Sequence, residues 1–73
     1  MPVRQHHRRL LGESVRSRRK AASLTQEKLA ERAGLSTIFI SRVERGKESP
    51  SMDSLVKIAG ALKARVRDLV EKF

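Results

Sequence analysis

Between Gln26 and Arg45 the chain reads QEKLAERAGLSTIFISRVER, and this stretch leaves little freedom to the rest of the fold. Leu29, Ala30 and Ala33 share one face of a helix, and Ile40 and Val43 share one face of a second, flanked by Phe39. Only Gly34, Leu35 and Ser36 lie between them, too little chain for anything but a tight corner. Both apolar faces must be buried, so the two short helices lean on each other across Gly34. Local signals agree. Thr25 and Ser36 stand where N-caps belong, Glu27 suits the positive end of a helix dipole, and Gly34 can take the left-handed conformation that ends a helix. Ala30 is small where the helices approach most closely, and Leu35 fills the corner.

The flanking sequence supplies more helices of the same kind. Arg8 to Ala22 carries a stripe of Leu11, Val15 and Ala22, with Arg16 and Lys20 opposite; Arg18 falls within the stripe, its aliphatic stem able to cover the core. After Gly46 to Pro50, read as a loop, Ser51 caps a fourth helix with Asp53 in its first turn and Leu55, Ile58, Ala59 and Leu62 as its apolar face. Arg65 to Phe73 gives a short fifth helix in which Val66, Leu69, Val70 and Phe73 recur at i, i+3, i+4 and i+7. The expectation is an all-α, compact five-helix bundle over residues 8–73, preceded by a flexible basic arm, residues 1–7. That arm is either a solvated tail or a segment laid along phosphates. Four apolar residues on a short terminal helix exceed what a small core needs, so Val66, Val70 and Phe73 are read as a contact to a second copy, with burial in the chain's own core as the alternative.

A domain of 73 residues buries only about 60% of its unfolded surface, and with no Cys it has no disulfide or thiolate–metal staple. Self-association is a common remedy at this size. The core must come from Leu, Ile, Val and Ala, because there is no Trp or Tyr and only two Phe. Seventeen Lys and Arg against eight Asp and Glu give a net charge of +9, which points to a polyanion, nucleic acid first among them. Residues 1 to 20 hold seven of the basic side chains and a single acid, Glu13. No apolar run approaches the roughly 20 residues of a membrane span, and no secretory signal is present, so a soluble, cytoplasmic protein is expected. His6 and His7 are adjacent without further ligand-type neighbours. Neither a carboxylate pair nor a phosphate-cradling glycine loop occurs. No metal, cofactor or catalytic centre is therefore expected.

The outward arc of the third helix carries the functional signal. With Ile40 and Val43 inward, Thr37, Ile38, Ser41, Arg42 and Arg45 occupy an arc roughly 140° wide. Two hydroxyls, an aliphatic and two Arg can hydrogen-bond base edges and touch a thymine methyl. Ile38 argues against a merely solvated face, since an aliphatic at the exposed start of a helix needs something to contact.

At these residues the chain resembles the Cro/C1-type helix-turn-helix family of phage repressors and small bacterial regulators. The matching pieces are LGESVRSRRKAASLTQEKLAERAG, LSTIFISRVERGKESPSMDSLVKIAGAL and VRDLV, of which LTQEKLA and ISRVERGKESPS are the most specific. The resemblance implies a lambda-repressor-like fold with its helix-turn-helix at 26–45 and double-stranded DNA as partner. It places Thr37, Ile38 and Arg42 at base-reading positions, with Ser36 and Ser41 close by. It places Gln26, Arg19, Arg45, Gly46 and Lys47 near phosphate, and pairs Arg19 with Glu44 across the interior. Three departures stand out: Ser23 and Lys63 occupy positions where the family usually has Gly, and Arg65 stands where it usually has a capping Ser, Thr or Asp.

The function expected is a homodimeric, sequence-specific transcriptional regulator reading a near-palindromic operator, located on the nucleoid when bound. An alternative of another class is an antitoxin that masks a partner toxin and binds DNA for autoregulation. A restriction–modification controller is a subtype of the first reading, and a sequence-blind binder resting on charge alone is a third.

Overall fold

The computed structural model describes residues 3–73, with side chains from residue 6 onward. Five helices follow one another: α1 Val3–Ala21, α2 Gln26–Ala33, α3 Thr37–Glu44, α4 Met52–Ala61 and α5 Val66–Val70. The described residues contain no strand. α3 packs on both α1 and α2, α4 packs on α2, and α5 closes the bundle against α1 and α4.

The core takes residues from every helix: Leu11 and Val15 of α1, Leu29 and Ala30 of α2, Ile40 and Val43 of α3, Ile58 and Ala59 of α4, and Leu69 of α5. Each large aliphatic among them is worth about 1.5–3 kcal/mol on full burial. Leu35 and Phe39 pack against this cluster from the corner, so the α2–α3 unit is part of the core and not an appendage to it.

Three helices start on hydroxyl caps. Thr25 Oγ1 accepts from Lys28 N–H at 3.0 Å, Ser36 Oγ from Phe39 N–H at 3.0 Å, and Ser51 Oγ from Ser54 N–H at 3.1 Å. α5 lacks a capping hydroxyl at Arg65. Asp68 compensates from inside the helix, its carboxylate accepting the Arg65 N–H at 2.9 Å. That bond, followed by the nearby charges of Arg18, Arg67 and Arg65, holds the Asp68 carboxyl below the ordinary range.

The first four helices end in one recurring turn. Just past each helix, two or three residues beyond its last, a residue donates its N–H back to a carbonyl five residues earlier: Leu24 to Arg19, Leu35 to Ala30, Lys47 to Arg42 and Ala64 to Ala59, at 2.8–3.1 Å. The residue before each donor is left-handed: Ser23 (φ 59°), Gly34 (φ 69°), Gly46 (φ 72°) and Lys63 (φ 56°). The turns after α1 and α4 thus keep the left-handed shape without glycine.

Several boundaries differ from expectation. α1 begins at Val3, not Arg8, so residues 3–7 are helical and only Met1 and Pro2 of the expected arm lie outside the described residues. The side chains described there, His6 and His7, make polar and aromatic contacts, which apolar periodicity does not register. Arg9 approaches His6 Nδ1 at 3.4 Å, and the His7 ring lies 5.5 Å from that of Phe73. Ala22 falls past the end of α1 and is exposed, as is Arg18, while Ser14 is the buried neighbour of Val15. α5 spans only Val66–Val70, and Val66 and Val70 are half-buried against the chain's own core. Of the three residues expected to meet a second copy, Val66 and Val70 keep part of their surface open and Phe73 is exposed.

Candidate nucleic-acid interface

α3 is fixed from below by contacts that leave its outer arc open. Ile40, Val43 and Glu44 are buried. α1 crosses the end of α3 at Gly12, where an added Cβ would lie 2.5 Å from the Val43 carbonyl oxygen and 2.6 Å from that of Glu44. Only a residue without a side chain lets the two backbones meet this closely.

Glu44 is the hub of a polar network beneath α2 and α3. Arg19 Nε donates to Glu44 Oε2 at 2.6 Å and its second terminal nitrogen to Oε1 at 3.0 Å; the other terminal nitrogen donates to the Leu24 carbonyl at 2.9 Å. Gln26 Nε2 adds a bond to Oε1 at 3.0 Å. The carboxylate side chain is 2% exposed and the guanidinium side chain 12%. Hydrogen bonding to Glu44 raises the Arg19 pKa against the opposing effect of burial. The network ties α1, the turn after it, the start of α2 and the end of α3 into one frame. All three Arg19 nitrogens are engaged inside the protein, and each terminal nitrogen keeps one N–H beyond the bond it makes there. The Gln26 amide nitrogen is likewise turned into the network in the free protein.

The outer arc has the composition of a reading surface. Ile38 is 75% exposed, the highest exposure among the large hydrophobic residues of the described chain. Arg42 and Arg45 are exposed beside it, Thr37 and Ser41 are half-buried, and Ser36 is exposed with its hydroxyl engaged as the α3 cap. Arg42 is not loose. Its Nε donates to Glu48 Oε1 at 3.1 Å and a terminal nitrogen donates to the Lys47 carbonyl at 3.1 Å. Arg45 Nε reaches the Ser41 carbonyl at 3.4 Å. Sequence reasoning missed Glu48, for which an acid in a basic loop was the one available signal. It also missed Gly12, which carries no local sequence signal at all.

Gly46 and Lys47 follow directly, in the turn that closes α3. Apolar exposure elsewhere sits on α4, at Met52 and Val56, and at Phe73. Among the described residues no group of acidic, His or Cys side chains could hold a metal ion, and no helix is long and apolar enough to cross a membrane.

Comparison with known proteins gives one consistent picture. A family model described as helix-turn-helix matches residues 15–69. An uncharacterized HTH-type transcriptional regulator of Mycobacterium tuberculosis is 46% identical over 52 residues, which is 71% of this chain but 37% of that protein, so the chain spans little more than a third of this relative's length. Among solved structures, the restriction-modification controller protein C.AhdI from Aeromonas hydrophila is 35% identical with a TM-score of 0.83, covering 85% of this chain and 94% of that one. The P22 c2 repressor, solved in complex with a synthetic operator, is 30% identical with a TM-score of 0.80, covering 86% of this chain and 96% of its own.

Proposed function

This chain belongs to the helix-turn-helix family of DNA-binding transcriptional regulators, with the lambda-repressor-like all-α fold, and from that premise we propose that it reads a specific operator as a homodimer, with α3 of each subunit in the major groove. Half-sites then lie about 34 Å apart along the duplex, and the operator is near-palindromic. The observation that carries this reading is the exposure of Ile38 in an arc with Thr37, Ser41 and Arg42. Such an arc can contact a thymine methyl and base-edge donors and acceptors together. Ser36 borders it. Arg45, Gly46 and Lys47 lie along the adjoining backbone, with Gln26 at the start of α2 on the other side. Arg19 supports the site from within. Met52, Val56 and Phe73 are the exposed apolar residues available to a second subunit. A cytoplasmic protein acting on the nucleoid follows from such a role.

Arg42 is the base-reading residue on which most specificity rests. Its surface pair with Glu48 is worth under about 1 kcal/mol, so a bidentate contact to guanine, worth about 1–3 kcal/mol of discrimination, can displace it. A binding-site selection tests this. The parent protein should enrich one inverted repeat, and Arg42→Ala should lose preference at one position in each half. An unchanged sequence logo for Arg42→Ala refutes the assignment, and failure of the parent to enrich any sequence refutes specific recognition.

One narrower reading has an observation in its favour. Similarity to a restriction-modification controller that is covered over 94% of its length makes control of such a gene pair a specific form of the same function. An operator recovered by selection that lies upstream of adjoining methyltransferase and endonuclease genes supports it; an operator elsewhere removes it.

A further inference from the structure

The N-terminal turns of α1 bring a second set of cations to the edge of the reading surface. A groove of about 320 Å³ runs between α1 and the turn after α3, lined by Arg8, Arg9, Arg45, Gly46 and Lys47. Its floor is backbone against backbone. A Cβ placed on Gly46 would sit 3.3 Å from Arg9 Cα, 3.5 Å from Arg9 N and 3.7 Å from the Arg8 carbonyl carbon. The left-handed Gly46 thus lets the turn seat directly on α1, holding four cationic residues around one cleft.

Few anions answer those charges. Within the described residues, no ion pair involves Arg8, Arg45 or Lys47, and Arg9 has only the exposed Glu13 at 3.8 Å. Arg8 Nε is buried and has no hydrogen-bond partner, a costly state for a charged donor. The dipole at the end of α3 explains cations at Arg45 and Lys47. It does not explain Arg8 and Arg9, which arrive from another helix.

We propose that this groove binds a phosphate of the DNA backbone, gripped between Arg8 and Arg9 of α1 and Arg45 and Lys47 beyond α3. The inference rests on the DNA-binding reading above and extends it. The groove opens just past the C-terminal end of α3, where the backbone flanking an occupied major groove must run. A phosphodiester there supplies oxygen acceptors to the exposed side chains of Arg9, Arg45 and Lys47, with Arg8 beside them, and relieves the mutual repulsion of the cations. The long α1 accordingly adds a clamp on the duplex without reading its sequence.

The test measures affinity for the selected operator duplex across about 50–200 mM salt, where each phosphate contact contributes about 0.9 to the slope of log K against log salt. Arg8→Ala/Arg9→Ala should lower the slope by about 0.9 and leave the selected sequence unchanged. The control, Arg67→Ala/Lys72→Ala, removes the same charge from around α5, which is packed on α1 and α4; its slope should stay at the parent value. Ethylation of operator phosphates should reveal one position that interferes with the parent but not with the α1 variant. Arg9→Ala alone, at an exposed position, gives the same readout in smaller measure should the double variant unfold. A parental slope in the α1 variants, or an equal fall in the α5 control, overturns the groove while leaving operator recognition standing. A parent protein that selects no sequence overturns the DNA reading, and the groove with it.

Discussion

The turns that bracket α3 and the turns that end α1 and α4 share one hydrogen-bonding pattern yet use different residues. On either side of α3 the left-handed position is glycine, Gly34 and Gly46; after α1 and α4 it is Ser23 and Lys63. A left-handed non-glycine residue costs about 1–2 kcal/mol, so the scaffold accepts strain that the reading unit avoids. The two glycines are not equivalent. A Cβ on Gly34 would meet nothing within 4 Å, so only its dihedral asks for glycine, whereas Gly46 also lies against the α1 backbone. The difference teaches that α3 is placed by close contact, and that the outer helix ends need only turn the chain.

The strongest way to break that view is at Gly12. Helix propensity alone favours Ala over Gly by about 1 kcal/mol. Yet the added methyl would lie 2.5–2.6 Å from two carbonyl oxygens of α3, and neither backbone can yield cheaply. Gly12→Ala should destabilise by about 3 kcal/mol or more, read as a large fall in the urea midpoint. A variant as stable as the parent shows that α3 is not seated on α1 by this crossing.

Glu44 offers the next largest effect. Glu44→Gln keeps shape but removes the charge that answers Arg19 in a nearly closed site. Losing one partner of a buried pair costs about 3–5 kcal/mol; the amide oxygen left behind should hold the loss near the lower figure. For a domain of this size, about 3 kcal/mol lowers Tm by more than about 10 °C. Arg19→Ala/Glu44→Ala should cost less than the sum of the two single alanine variants. Additive losses would make the two residues independent, and the comparison would lose its electrostatic half.

How much of this was legible in the sequence follows from the range of each interaction. The caps at Thr25, Ser36 and Ser51, the corner at Gly34 and the apolar faces of α2, α3 and α4 are local, and each left a readable mark. The start of α1 was misplaced because His6, His7 and Arg9 make polar and aromatic contacts that apolar periodicity does not register. Gly12 was silent because its reason lies on a helix 31 residues away, at Val43. Resemblance supplied the Arg19–Glu44 pairing, but not the bond from Arg19 to the Leu24 carbonyl or the approach of Gln26 to the same carboxylate. The clustering of Arg8 and Arg9 with Lys47 was hidden for the same reason: charges distant in sequence meet only once the turn at Gly46 is built.

The smallest effect gives the sharpest comparison, because it moves the strain from one pair of turns to the other. Ser23→Gly and Lys63→Gly each relieve a left-handed residue, worth about 1–2 kcal/mol, against the greater entropy that glycine gives the unfolded chain, about 0.5–1 kcal/mol. Each should therefore stabilise by about 0.5–1 kcal/mol, raising Tm by a few degrees in a domain of this size. Neither site belongs to the proposed reading arc on α3, so affinity for the selected operator should not change. Gly34→Ser runs the other way: the open space around it removes any steric cost, and the loss should be the dihedral alone, about 1 kcal/mol. Gains at residues 23 and 63 beside a loss at residue 34 establish that glycine is placed where α3 is positioned and forgone where the chain merely turns. If all three substitutions left Tm unaltered, the left-handed angles would carry no energetic difference, and the contrast between the two kinds of turn would reduce to the packing of Gly46 on α1.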